Sequence, residues 1–287
     1  MTGFRSSDFR ILFEDGSYKR TTGLATTIAS LSLNRKGLFD EYERLRGSAP
    51  RRSETDKRYF VGHDGVISSP GSGSESNRGE EHLALALWNQ DKPWPRSHPV
   101  DGWLRLIDYQ FPLKARQSDQ GIGKVDLLGI TDRGRLTVIE LKVKPRSAGN
   151  RGDTPLLALM EGLRYAAVVE ANRDVIAREA KVLFERDITK EPPIVQILAP
   201  LAWWKGWLEL AGSTRRAAGE WEPAFARLTA DIEEGRLSVP VECVALDDIG
   251  DGGITYGADC RTPTLGRAPA LYSVRPGEKW PIGDALL

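Results

Sequence analysis

Cysteine is almost absent from this chain: Cys243 and Cys260 are the two present, and they form no CxxC pair. Neither a disulfide framework nor a structural zinc site is therefore expected, and a reducing compartment fits best. Histidine is as scarce. His63, His82 and His98 show no HExxH or similar ligand spacing, and GxSxG is missing, which sets aside zinc proteases and serine hydrolases. Net charge is missing too: 40 Lys plus Arg balance 40 Asp plus Glu, so no global positive field announces a polyanionic partner. Any nucleic-acid surface must be local. No apolar run reaches the roughly 18 residues of a membrane span, and the opening MTGFRSSDFR carries no hydrophobic signal core. A cytoplasmic protein without a membrane partner is the expectation. GSGSES holds GxG without a third glycine and outside a βαβ unit, so no dinucleotide site is expected either.

What is present is enough to fold. The chain has 287 residues, 40% hydrophobic and 28% charged, the balance of an ordinary globular protein with a sizeable core. Residues 1 to about 60 mix a strand-like piece, Arg10 to Phe13, a DGS turn, and LNRKGLFDEYERLRGS, in which Leu38, Phe39, Tyr42 and Leu45 recur at helical spacing. SSPGSGSESN, residues 68–77, reads as a flexible loop. The expected organisation is an N-terminal extension of unknown role over residues 1–75 and a main domain over 76–287.

From Asn77 the pattern sharpens. RGEEHLALALW places Leu83 and Leu87 on a helical stripe, with Asn77 as N-cap and Glu80 three residues on. A strand from Leu104 to Phe111 follows, then the polar loop KARQSDQGIG. KVDLLGI and LTVIELKV are two apolar runs joined by TDRGR, the pattern of a hairpin. Beyond the basic loop KPRSAGNRG, Thr154 caps a helix with Pro155 at its first position and Leu156, Leu159, Met160, Leu163 and Ala167 on one face. A second helix from Asp174 to Phe184 precedes the strand IVQILAP, the segment AWWKGWLEL and the short strands VECVAL and ALYSV. The order predicts an α/β (mixed α+β) fold, a mixed central sheet flanked by helices.

Charged residues inside apolar strands carry the chemistry. Successive strand side chains alternate faces, so Glu140 and Lys142 share one side while Ile139, Leu141 and Val143 take the other. Burying such charges is costly without partners. Asp126 interrupts the facing run, and residue 133 is equidistant from 126 and 140, so a hairpin turning at Asp132 to Gly134 sets Asp126 across from Glu140. Two adjacent carboxylates repel, and a hard divalent cation such as Mg²⁺ relieves the repulsion. A cation there suits phosphodiester hydrolysis, with Lys142 orienting water or neutralising charge in the transition state.

GKVDLLG followed by TVIELKVK resembles motifs II and III of the PD-(D/E)xK nuclease superfamily, whose fold is that of many restriction enzymes and repair nucleases. The resemblance covers roughly residues 77 to 200. It implies a restriction endonuclease-like core in which Asp126, Glu140 and the Leu141 carbonyl bind Mg²⁺ or Mn²⁺ and Lys142 takes the lysine role. It also implies a metal-binding carboxylate from the first helix. The ExxL spacing from Glu80 to Leu83 selects Glu80 over the adjacent Glu81, so the implied site is Asp126, Glu140, Lys142 and Glu80. EGLRY stands where several branches carry QxxxY, with Glu161 replacing the Gln and Tyr165 keeping its place. Val125 occupies the position of the motif's Pro. The implied activity is a metal-dependent nuclease acting on nucleic acid, with DNA the expected substrate, in repair, restriction or defence; a homodimer is compatible with it. The competing expectation is an inactive module of the same fold that binds nucleic acid or a protein.

Plainer roles compete for several residues. Asp126, Glu140 and Lys142 also fit a solvated cross-strand salt bridge on a half-exposed sheet, although their apolar flanks favour the functional reading. Glu80 suits a capping box after Asn77, and Glu161 suits an ion pair with Arg164 on an exposed helix face. Trp203, Trp204 and Trp207, at helical spacing, read as core or interface packing rather than base-stacking platforms. Lys144, Arg146 and Arg151 either touch phosphates or are plain surface.

Overall fold

The computed structural model describes residues 3–61, 79–90, 94–95, 102–143, 152–208, 220–246, 254–258, 261–266 and 270–276. The 68–77 loop, the boundary near residue 75, Asn77, Lys144, Arg146, Arg151, His63, His98 and Cys260 lie outside them.

The chain folds as a mixed α/β protein around a sheet that runs, among the described residues, in the order β1-β2-β3-β4-β5-β6-β9. Its strands are β1 (Trp94–Pro95), β2 (Trp103–Pro112), β3 (Lys124–Thr131), β4 (Leu136–Leu141), β5 (Ile194–Pro200), β6 (Val241–Leu246) and β9 (Leu271–Ser273). β1 to β4 pair antiparallel, β4, β5 and β6 run parallel, and β9 returns antiparallel on β6. β7 (Ile254–Tyr256) and β8 (Pro263–Leu265) form a separate hairpin.

The parallel strands need long crossovers, and helices supply them. Between β4 and β5 lie α5 (Pro155–Ala171) and α6 (Arg173–Phe184); between β5 and β6 lie α7 (Leu201–Leu208) and α8 (Trp221–Glu234). The α5 start follows its sequence signals: Thr154 Oγ1 accepts the Leu157 N–H at 3.1 Å, and Pro155 stands at the first turn, where its missing N–H costs nothing. Gly162 lets α5 approach β5 closely, since a Cβ there would sit 2.5 Å from Val195 Cγ1. One face of the sheet carries the larger apolar core, to which Val125, Val138 and Val195 contribute beside Leu159 and Leu163 of α5. On the other face α4 (Gly79–Trp88) buries Leu83 and Leu87 against Leu127, Ile139 and Leu141. Each such side chain contributes about 1.5–3 kcal/mol of burial.

The N-terminal residues join the larger core. α2 (Leu24–Leu33) packs on α8 and α3 (Arg35–Ser48) on α5, with Leu38, Phe39, Tyr42 and Leu45 buried as their helical spacing predicts. Glu170 ties the two parts, accepting from Tyr42 Oη at 3.0 Å and from Arg46 at 2.6 Å. Two local expectations fail here. Arg10 to Phe13 is a bend and turn rather than a strand, because the Glu41 carboxylate accepts the Arg10, Ile11 and Leu12 N–H groups at 3.0, 2.9 and 3.1 Å and so takes the donors a strand partner would need. The DGS turn is part of the helical turn α1 (Asp15–Tyr18), capped by Glu14.

Candidate active site

The β3–β4 hairpin pairs Leu127 with Ile139 and Ile130 with Leu136, so the register carries Asp126 one step on, to the level of Glu140. The turn closes through Gly134 N–H to Thr131 O at 2.9 Å, with Gly134 at φ 83°, a conformation glycine adopts without strain. Beyond Leu127 the ladder opens. The Leu141 N–H, instead of reaching the facing strand's backbone, donates to Asp126 Oδ2 at 2.9 Å.

Glu140 and Lys142 are both buried, 4% and 3% exposed, which excludes the half-exposed surface salt bridge. Their neighbours compensate them. Lys142 Nζ donates to Glu140 Oε1 and to Glu161 Oε2, each at 2.9 Å, and lies 3.7 Å from Asp153. Glu161, from α5, also meets Arg164 at 3.4 Å, so the expected pair exists. Its face is not exposed, however: Arg164 is buried and reaches on to Asp15 of α1 at 3.2 Å. Tyr165 lies over the entry to β3, where a Cβ on Gly123 would stand 3.2 Å from its hydroxyl.

Glu80 and Glu81 act on different groups. Gly79, at the start of α4, abuts Val143, and Glu80 interacts electrostatically with Lys142, Asp126, Asp153 and Glu161, while Glu81 acts on Tyr109. The capping-box role of Glu80 depends on Asn77 and lies outside the described residues.

Burial dominates the protonation equilibria. It pushes Asp126 up to about 6, against the pull of Lys142 and the Leu141 N–H. It pushes Glu80 up to about 7, with Lys142 opposing and Asp126, Asp153 and Glu161 adding. Glu140 rises well above the carboxylate range, first from burial and then from Asp126 and Glu161, although Lys142 opposes. Burial alone would discharge Lys142, yet Glu140, Glu161 and Glu80 hold its ammonium above the usual lysine value. Burial would likewise raise Glu161, but Lys142 and Arg164 outweigh it and keep that carboxyl below its ordinary value. The surroundings thus favour the charged forms of Lys142 and Glu161, while burial pushes Glu140 toward its neutral form.

The structure therefore brings together Asp126, Glu140, Lys142 and Glu161, with Glu80 close enough to feel them. Buried Glu140 Oε2 has no hydrogen-bond partner among the described residues. Five carboxyl groups, those of Asp126, Glu140, Glu161, Asp153 and Glu80, gather around two cations, Lys142 and Arg164, and that excess of acid with an orphaned oxygen suits a divalent cation. Among the described residues no three His, Cys, Asp or Glu side chains are grouped as a metal cluster. A Mg²⁺ ion typically takes one or two protein carboxylates and completes its shell with water and phosphate oxygens, so Asp126 and Glu140 are a sufficient start.

Gln110 escaped the sequence reading. It sits in β2 at φ 49°, just past a bulge between Leu106 and Asp108, and its Nε2 donates to Asp126 Oδ1 at 3.3 Å. A non-glycine residue held in the left-handed region beside a candidate site is strain that the surroundings enforce. Nothing in FPL or DYQ marks it in advance. The tryptophans are core: Trp203, Trp204 and Trp207 are buried, and Trp204 donates to Val244 O at 2.9 Å. His82 is buried against the Tyr256 hydroxyl at 2.7 Å.

A scan against protein-family models, a search of curated proteins and a search of solved structures each return no match to this chain.

Proposed function

We propose that this protein is a metal-dependent nuclease with a restriction endonuclease-like core that hydrolyses phosphodiester bonds of nucleic acid, with DNA the preferred substrate, in repair, restriction or defence. The observation that carries the reading is the meeting of half-buried Asp126 and buried Glu140 across one hairpin, beside a buried lysine held by Glu140 and Glu161. Clustered charge of this kind costs stability, and chemistry is the ordinary reason for retaining it.

Asp126, Glu140 and the Leu141 carbonyl would hold Mg²⁺ or Mn²⁺, which supplies Lewis-acid polarisation of the phosphoryl oxygen and acidifies bound water. Asp126 and Glu140 serve as anionic oxygen donors once ionised. Lys142, protonated and anchored on Glu161, places a fixed positive charge where the phosphoryl group gains negative charge in the transition state. Glu80, with its pKa pushed up to about 7, is poised to accept a proton from water at neutral pH. Gln110 steadies the Asp126 carboxylate.

The test is cleavage of plasmid, linear and single-stranded DNA and of RNA with Mg²⁺, Mn²⁺ or EDTA, repeated with Asp126→Ala and Lys142→Ala. Metal-dependent cutting abolished by both substitutions is expected. Cutting that survives Lys142→Ala assigns the activity elsewhere, and no cutting of any substrate favours the binding module.

A further inference from the structure

A second concave feature lies on the N-terminal side of the molecule. A cavity of about 620 Å³ opens between the N-terminal segment and the 113–121 loop that follows β2, lined by Arg5, Arg44, Arg51 and Arg116 among others. Its size falls within the range of small-molecule sites.

The charges in it do not cancel. Asp8, Glu54 and Asp119 are the acids of the lining. Asp119 is already committed: its carboxylate accepts the Phe4 N–H at 2.9 Å and the Ala115 and Arg116 N–H groups at 2.9 and 2.8 Å, which staples the loop to the N-terminal segment. Arg44 donates to the Asp8 carbonyl at 2.6 Å and stacks 4.0 Å over the Phe9 ring, and Arg51 donates to the Ala171 carbonyl at 3.0 Å. These contacts orient both guanidinium groups with carbonyls and a ring, and use few of the five N–H donors each carries. Among the described residues Arg5, Arg44 and Arg51 form no ion pair with a carboxylate. Two oriented guanidinium groups with spare donors, and Arg5 on the same cavity, are the chemistry that recognises a phosphate oxyanion, whose tetrahedral oxygens match the fork geometry.

We infer that this cavity binds a phosphomonoester, the dianionic group shared by a nucleoside monophosphate and by the phosphorylated end of a short nucleic-acid strand. Arg51 and Arg5 supply the forks, and Arg44, fixed over Phe9, sets the depth at which the phosphate stops. The site is separate from Asp126 and Glu140 and needs no metal, so it stands whether or not the chain is a nuclease.

The test is calorimetric titration of the full chain in EDTA with inorganic phosphate, adenosine monophosphate, and a dinucleotide with and without a 5′-phosphate. Saturable binding of the phosphorylated probes is expected, at least about tenfold stronger than that of the unphosphorylated dinucleotide, with Arg5→Gln and Arg51→Gln each weakening it by about tenfold. Both positions are exposed, and circular dichroism checks that the variants fold. Adenosine monophosphate binding tighter than inorganic phosphate identifies a nucleotide as the occupant; equal binding identifies the phosphate group alone. No saturable binding, or binding that neither substitution weakens, overturns the inference.

Discussion

Lys142 Nζ stands 2.9 Å from Glu161 Oε2, and this contact joins the ELK strand to the long helix α5. It makes Glu161 part of the site rather than a surface residue that happens to follow it. In Lys142→Ala the carboxylates of Glu140 and Glu161 lose their shared cation, and removing one partner of a buried pair costs about 3–5 kcal/mol. Activity is expected to fall by about 10²-fold or more, the scale of losing one fixed stabiliser of transition-state charge. Glu161→Gln keeps an acceptor for Lys142 and is expected to be milder in both respects. Denaturant melts and cleavage rates of the two variants check the order.

Gln110→Gly separates strain from function. Glycine accepts the left-handed backbone of this position without the roughly 1 kcal/mol penalty a side chain incurs there, so the variant is expected to fold with equal or greater stability. It also removes the donor to Asp126 Oδ1, and cleavage is expected to fall by about tenfold, the scale of a lost orienting hydrogen bond. A variant less stable than the parent by more than about 1 kcal/mol would show that the backbone there is not strained.

In the proposed mechanism Arg164 positions Glu161. It holds Glu161 from one side and Asp15 from the other, so Arg164→Gln is expected to raise the Glu161 pKa, loosen Lys142 and move the acid limb of the cleavage pH profile upward. Arg164→Lys should restore part of the profile. Asp15 is 42% exposed at its side chain, and Asp15→Asn is expected to change stability by less than about 1 kcal/mol. A purely structural Arg164 would lower stability and leave the pH profile in place.

Stability should fall with rising pH when metal is removed. Asp126 goes from an ordinary 3.8 to about 6 and Glu80 from 4.5 to about 7 on folding, and Glu140 shifts the same way. A carboxyl that binds its proton more tightly when folded contributes stability present below its unfolded pKa and lost as pH rises through its folded one. The window is therefore roughly pH 4 to 7, with Glu161, shifted down, opposing in part. Melting temperatures in EDTA across that window are expected to decline, and Asp126→Asn to decline less; identical slopes for the two proteins would contradict the assignment to Asp126.

How much of this was readable beforehand depends on whether the signal was local. The hairpin, its register and the start of α5 follow from alternation, a Gly turn and a Thr-Pro cap, all within a few residues of each other. IVQILAP is β5 to the residue because an apolar run between a Pro-Pro pair and a helix has few other uses. What stayed hidden was non-local. Asp15 reaches Arg164 and Glu41 caps residues 10–12 only once the chain has folded, so the first sixty residues read as an appendage while sharing the main core. α2, α8 and the β7–β8 hairpin also escaped, since their short or mixed patterns gain their apolar faces from partners distant in sequence. Gln110 was invisible because a backbone angle leaves no mark on composition.

In the proposed mechanism Asp126 and Glu140 together hold one divalent ion. Electron paramagnetic resonance of Mn²⁺ titrated into the full chain measures this directly, by the loss of the free-ion signal. One saturable site is expected, competed by Mg²⁺ and weakened by about tenfold or more in both Asp126→Asn and Glu140→Gln, each of which removes a hard anionic ligand. Mn²⁺ bound as tightly by both variants as by the parent, or not bound by the parent at all, would contradict it.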